Sequence, residues 1–141
     1  MLSIIIGVFI VLESLNIMML YFMPGSKMGN GIGVFDAWEL SKKEESVHQL
    51  VKYLVYWVAG TKLIFIALLL VILITGSETT KLWTSGAMIV SILSFYWRLY
   101  PIIKREDKKG RVHPSGYSKT LNYMIAGFIG MFVIGVIISL I

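Results

Sequence analysis

Two side chains of opposite charge stand inside long apolar segments of the sequence. Glu13 lies in the apolar segment 2–22, and Lys62 lies in the apolar segment 54–75. A charge near the middle of a membrane-spanning helix costs about 2.5–3.5 kcal/mol on insertion scales, so such a charge is usually paired or functional. A carboxylate and an ammonium in this environment could bind each other, bind an ion, or take up and release a proton.

The two charges are predicted to lie at the same depth. Glu13 stands nine residues before Phe22, and Lys62 stands nine residues after Tyr53. A helical rise of 1.5 Å per residue puts both about 13 Å from the ends of their segments. Opposite charges at one depth on consecutive helices are natural partners, because pairing removes most of the cost of each. Asn16, one turn from Glu13, could supply a further hydrogen bond.

Three interpretations of the pair remain open at this point. It could be a structural clasp between two helices, a titrating pair in a proton- or ion-coupled pathway, or two charges that face water or a partner separately. The supporting polar residues are hydroxyls, which usually bond back to a carbonyl one turn earlier or join helices, and less often line a polar path. These residues are Thr61, Ser91 and Ser94.

The segments that hold these residues indicate an all-α integral membrane protein. The hydrophobic fraction is 57% and the charged fraction is 15%, against roughly 45–50% and about 25% in soluble domains. A helix needs about 20 apolar residues to cross a bilayer. We predict one membrane domain, 1–141, with four transmembrane helices in an antiparallel bundle. Their approximate ranges are 2–22, 53–75, 82–101 and 120–141, and the cytoplasmic loops are 23–52 and 102–119.

Prolines, glycines and hydroxyls indicate where the spans begin and end. Gly76 is expected to end the second span. Pro101 is expected to end or kink the third, because proline removes a backbone donor. Ser118 or Thr120 could cap the fourth.

The first cytoplasmic loop is predicted to contain a short interfacial helix. Residues 34–43 alternate apolar and charged side chains at roughly helical spacing, and Trp38 is expected to anchor this helix at headgroup level. The glycine-rich stretch 29–33 before it lacks the spacing and the strand–helix context of a nucleotide-binding loop. We predict a flexible hinge there.

The distribution of cations predicts the orientation. Eleven lysines and arginines lie in or beside the two long loops, against one, Lys81, in the short connection between the second and third spans. The positive-inside rule then places both termini outside the cytoplasm, in a multi-pass protein of the cell membrane. The basic residues around the second long loop are expected to set this topology and to attract anionic lipid headgroups. They are Arg98, Lys104, Arg105, Lys108, Lys109 and Arg111.

The fourth span carries small residues at helix-packing spacing. Ala126 and Gly130 stand four apart, with Gly127 beside them and Gly135 beyond. Such residues allow close helix approach, either within the chain or between two copies. Membrane lipids, a second copy or a partner membrane protein are therefore the expected partners. Nucleic acid is not expected, because no aromatic residues interleave the basic run.

The sequence contains no recognisable catalytic, cofactor or metal-binding pattern. It has no cysteine, and its two histidines, His48 and His113, lie on different loops outside any cluster with metal-ligand spacing. We therefore predict no metal, no cofactor and no enzymatic activity. The favoured function is a small transport or permeation protein with the Glu–Lys pair at its polar centre. The alternatives are an accessory subunit whose basic face binds a partner or anionic lipid and, third, a lipid-modifying membrane enzyme.

Overall fold

The structure, a computed structural model, describes residues 1–141 and is built from helices without strands. Four segments are long and apolar enough to cross a membrane: α1, α3, α4 together with α5, and α6. The predicted all-helical class and the number of long apolar helices are confirmed. A 3-10 turn, Ile32–Val34, precedes α2. The helices are α1 (Leu2–Phe22), α2 (Asp36–Ser41), α3 (Glu45–Thr75), α4 (Glu78–Leu93), α5 (Phe95–Lys108) and α6 (Tyr117–Leu140).

An aromatic core joins α1, α3 and α6. The ring of Phe9 packs edge-on against Phe65, Phe128 and Phe132, with centroid distances of 6.3, 5.4 and 5.4 Å. Phe132 is fully buried. Edge-to-face pairs of this kind add to the packing of their area alone. They fix how far α3 and α6 stand from α1 at this level.

Of the predicted small residues of α6, only Gly135 packs closely against another helix of the chain. Ala126 and Gly127 are exposed, and a Cβ added at Gly127 or Gly130 would meet nothing within 4 Å. Close approach takes place instead at Gly135, where a Cβ would overlap the side chain of Ile5 in α1. The other three residues therefore remain candidates only for contact with a second copy.

Two helices extend beyond their predicted bounds. α3 begins at Glu45, eight residues before the predicted span 53–75, so the last two turns' worth of the predicted loop 23–52 are helical. α5 likewise continues to Lys108, so that Lys104, Arg105 and Lys108 lie on a helix rather than in a loop. Apolarity marks only the part of a helix that avoids water, whereas backbone hydrogen bonding continues through the polar turns beyond it.

The third long segment is interrupted at Ser94 and does not end at Pro101. The Ser94 hydroxyl donates to the Ser91 carbonyl at 2.6 Å, and the Trp97 N–H donates to the Ser94 carbonyl at 3.0 Å. These bonds make one tight turn between α4 and α5. α5 then runs through Pro101, which is exposed and deprives the helix of a single backbone bond.

Asp107, beyond the apolar part of α5, fixes the start of α6. Its carboxylate accepts hydrogen bonds from the N–H groups of Gly116 and Ser118, both at 2.9 Å, and from the Ser118 hydroxyl at 2.5 Å. Desolvation raises the pKa of the Asp107 carboxyl, but these hydrogen bonds lower it by more. The pKa therefore lies below its ordinary value. The capping role expected of Ser118 or Thr120 thus belongs to a side chain of the preceding helix.

The glycine-rich connection after α1 is packed rather than hinge-like. Gly33 is buried, and a Cβ there would overlap the carbonyl oxygen of Gly25. Gly29, with φ of +59°, lies against the end of the Met19 side chain. Only a residue without a side chain allows the backbone at Gly33 to come so close to the backbone at Gly25. The predicted flexible hinge is therefore replaced by a compact loop folded against α1.

Trp38 is buried, which corrects its predicted role as an interfacial anchor. Only 7% of it is exposed, and its ring lies 4.8 Å from that of His48. The absent side chain of Gly25 leaves space for the indole. Ser41 holds the arrangement together, because its hydroxyl donates to the Trp38 carbonyl at 2.7 Å and lies 2.8 Å from His48 Nδ1.

The two long connections meet through a contact that we call the loop clasp, formed by residues 34–36 and 111–113. One antiparallel bridge joins the two segments. The Asp36 N–H donates to the Arg111 carbonyl at 3.0 Å, and the His113 N–H donates to the Val34 carbonyl at 2.7 Å. The Asp36 carboxylate also lies 3.2 Å from His113 Nε2. The clasp ties the loop before α2 to the loop before α6.

Candidate functional site

α1 and α3 bring Glu13 and Lys62 into direct contact. Lys62 Nζ donates a hydrogen bond to Glu13 Oε1, and Asn16 Nδ2 donates to the same oxygen at 3.3 Å. The Glu13 side chain is 12% exposed, and the Lys62 side chain is 27% exposed. The structure thus joins the two charges that the sequence placed at one depth, and Asn16 supplies the further hydrogen bond that was expected of it. A carboxylate this buried needs its hydrogen-bond donors, because an unpaired buried charge is strongly unfavourable.

Aromatic contacts on both sides of the pair set the register of α1 and α3. Phe9 and Phe65 meet about one turn away from it towards the aromatic core. In the opposite direction, the rings of Tyr21 and Tyr56 are stacked with centroids 6.0 Å apart. The ion pair is therefore held between two ring contacts along the same helix interface.

Lys62 also lines a cavity of about 410 Å³ between α3, α5 and α6. Its walls are mostly apolar, although Asn30 and Tyr117 also line it. Lys62 is the one charged side chain among the lining residues, which do not include Glu13. Residues 30–35 of the compact loop close it at the clasp. Residues that form the walls include Leu54, Val55 and Val58 of α3, Phe95 and Leu99 of α5, and Leu121 and Ile125 of α6.

The cavity opens sideways between α3 and α5. These two helices make at most marginal contact with each other. Val58 of α3 and Leu99 of α5 line the cavity and yet remain 50% and 62% exposed, so they form its rim. A rim of aliphatic side chains favours the passage of an apolar molecule over that of a hydrated ion.

The three predicted hydroxyl residues do not join the ion pair or the cavity. Thr61 is exposed and donates to the Trp57 carbonyl at 3.0 Å, and Ser94 bonds back to Ser91. Ser85 was not predicted, yet its hydroxyl is fully buried without a hydrogen-bond partner. Nothing in the pattern of α4 distinguishes Ser85 from the exposed serines.

The basic residues lie apart from the cavity, on the outside of α5 and after it. The Arg98 guanidinium stacks over the Trp97 ring at 5.4 Å. Arg111 and Lys109 pair with Glu106 at 3.4 and 3.3 Å. A shallow cleft of exposed residues is lined by Pro101, Lys104, Arg105, Lys108 and Lys109.

The side chains are not arranged for metal coordination in any place. No group of three or more His, Asp or Glu side chains is positioned to hold a metal ion. No protein-family model matches this chain, and no curated protein or solved structure matches it.

Proposed function

We propose that the four long apolar helices cross the cell membrane as an antiparallel bundle. The large apolar side chains exposed along their outer faces support insertion, because a soluble protein rarely leaves so many uncovered. The distribution of cations supports an orientation with both termini outside and with the loop clasp on the cytoplasmic side.

Within this arrangement, the protein is a small transport or permeation protein centred on Glu13 and Lys62. One observation carries the proposal: Lys62 is bound to a buried carboxylate and at the same time lines a cavity. A pair that serves only to lock two helices would be stable without any open space beside it. Access from a cavity is what a charge needs to meet a substrate or an ion.

The experiment is a flux assay in reconstituted liposomes. An imposed potential drives proton movement, which a trapped pH-sensitive dye records. We expect flux in the wild type and none with Glu13→Gln, because the amide keeps the shape but loses the charge. Glu78→Gln is the control, since Glu78 is an exposed partner of Lys81 outside the cavity. Undiminished flux in a folded Glu13→Gln protein, or none in the wild type, would contradict the proposal.

The basic cleft on α5 supports a second candidate, an accessory subunit that binds a partner or anionic lipid. Its four cations are exposed and lie on one side of the helix, without a carboxylate among the lining residues. A stoichiometric partner that co-purifies with the wild type and is lost in a Lys104→Glu, Lys108→Glu variant would favour this role. A solitary, flux-competent protein would count against it.

A further inference from the structure

We propose that the cavity beside Lys62 binds a free fatty acid, with the carboxylate on Lys62 and the acyl chain along the walls of α3, α5 and α6. The inference rests on the proposed membrane placement and deepens the proposed function, because it names a ligand class for the same site. The fatty acid enters sideways from the bilayer, between α3 and α5.

The charge of the cavity selects the head group. The Lys62 ammonium has three N–H donors, and the structure gives it one acceptor, Glu13 Oε1. The Glu13 carboxylate does not line the cavity, so the ion pair, which is neutral as a whole, turns its positive end towards this space. A desolvated ammonium with free donors forms its strongest hydrogen bonds with an anionic oxygen. A carboxylate is therefore the complementary head group, and an amine would be repelled.

The size and polarity of the cavity select the tail. A volume of 410 Å³ corresponds to roughly a dozen methylene groups, if each takes about the 30 Å³ share of a water molecule. One acyl chain fits this space. The wall residues Val58, Leu99 and Leu121 present only aliphatic surface to it.

The lateral opening suits a ligand that is already dissolved in the membrane. Val58 and Leu99 form an apolar rim, while residues 30–35 close the cavity at the clasp. A fatty acid would thus pass from lipid to protein without exposing its chain to water, and its head would reach Lys62 within the helical segment.

The test is photo-cross-linking of diazirine-labelled palmitate to the full chain in phosphatidylcholine nanodiscs, followed by peptide mapping. We expect labelled peptides from α3, α5 and α6. Unlabelled palmitate should compete about tenfold better than hexadecanol, because only the carboxylate makes a charge-assisted bond with Lys62.

The two single variants of the ion pair should change palmitate competition in opposite directions. Lys62→Met should weaken palmitate competition about tenfold, and Lys81→Met, the matched lysine control outside the cavity, should leave it unchanged. Glu13→Gln should strengthen it, because the ammonium loses its competing carboxylate. If Lys62→Met alone does not fold, the Glu13→Gln, Lys62→Met double variant has no unpaired charge and must still lose the preference for palmitate over hexadecanol.

A filling variant tests the location independently of charge. Val58→Trp should abolish specific labelling, whereas Ile64→Trp, on an exposed part of α3 that does not line the cavity, should retain it. Equal competition by hexadecanol, stronger competition by hexadecylamine, or labelling confined to other helices or to a second copy would overturn the inference. Palmitate selectivity without flux would remove only the transport proposal, and flux without palmitate selectivity would remove only this one.

Discussion

The two ends of the helices are packed in different ways. Towards the termini, Phe9 and Phe132 belong to an aromatic core without charged residues, which we call the apolar half. Towards the connections, α3 and α5 separate around a cavity that the compact loop closes, which we call the loop half. The ion pair lies between the two halves. Dense packing at one end holds the helices in place, so the other end can remain open without losing its geometry.

The largest expected difference between the halves is in the response to removing a side chain. Phe132→Ala should lower the free energy of unfolding by about 3–4 kcal/mol, because the fully buried ring leaves a void among well-packed neighbours. Val58→Ala, at the half-exposed cavity rim, should lower it by less than about 1 kcal/mol. Denaturing-detergent titrations in mixed micelles measure both. Equal losses would mean that the two halves are packed alike.

The ion pair should respond next most strongly, and its two members should be strongly coupled. Glu13→Gln or Lys62→Met alone should cost about 2.5 kcal/mol, because each leaves a charge unpaired inside the helical bundle. The double variant should lie within about 1 kcal/mol of the wild type. The same titration provides the complete thermodynamic cycle.

The exposed pair of the loop clasp is the control for that cycle. Asp36→Asn and His113→Gln should each cost less than about 1 kcal/mol, because solvent screens this pair. Additive effects of Glu13→Gln and Lys62→Met would show that the buried contact contributes no more than the exposed one. The ion pair would then not stabilise the contact between α1 and α3.

A third comparison concerns two glycines, one in the loop half and one on the exposed face of α6. Gly33→Ala should destabilise by about 2 kcal/mol, because its Cβ would overlap the Gly25 carbonyl and the loop backbone must move. Gly127→Ala is the matched control. A Cβ added at Gly127 meets nothing within 4 Å, and alanine should stabilise the helix there by about 0.5–1 kcal/mol. A neutral Gly33→Ala variant would show that the compact loop is loosely packed.

The features that depend on position within a single apolar segment could be predicted from the sequence. α1 has the predicted bounds, and the contact between Glu13 and Lys62 follows from two regular helices that place their charges equally far from the polar connections. Apolarity and a fixed rise per residue are properties of each segment alone, so they need no knowledge of the neighbours.

The features that sequence reasoning missed depend on contacts between distant segments. The burial of Trp38 requires Gly25 to leave a gap for its indole, and the loop clasp requires two backbones to meet. The cavity depends on how far α3 and α5 separate. Neither residue type nor spacing along one segment records such distances, and therefore the loop half was predicted less well than the apolar half.

The loop clasp also sets the order in which the molecule can be completed. α1 and α3 carry the ion pair, so this pair can form once the first two long helices have been synthesised. The bridge joins residue 35 to residue 112, so the closed end of the cavity has to wait until the ribosome has passed α5. A nascent chain would hold its charges together well before it had an enclosed space beside them.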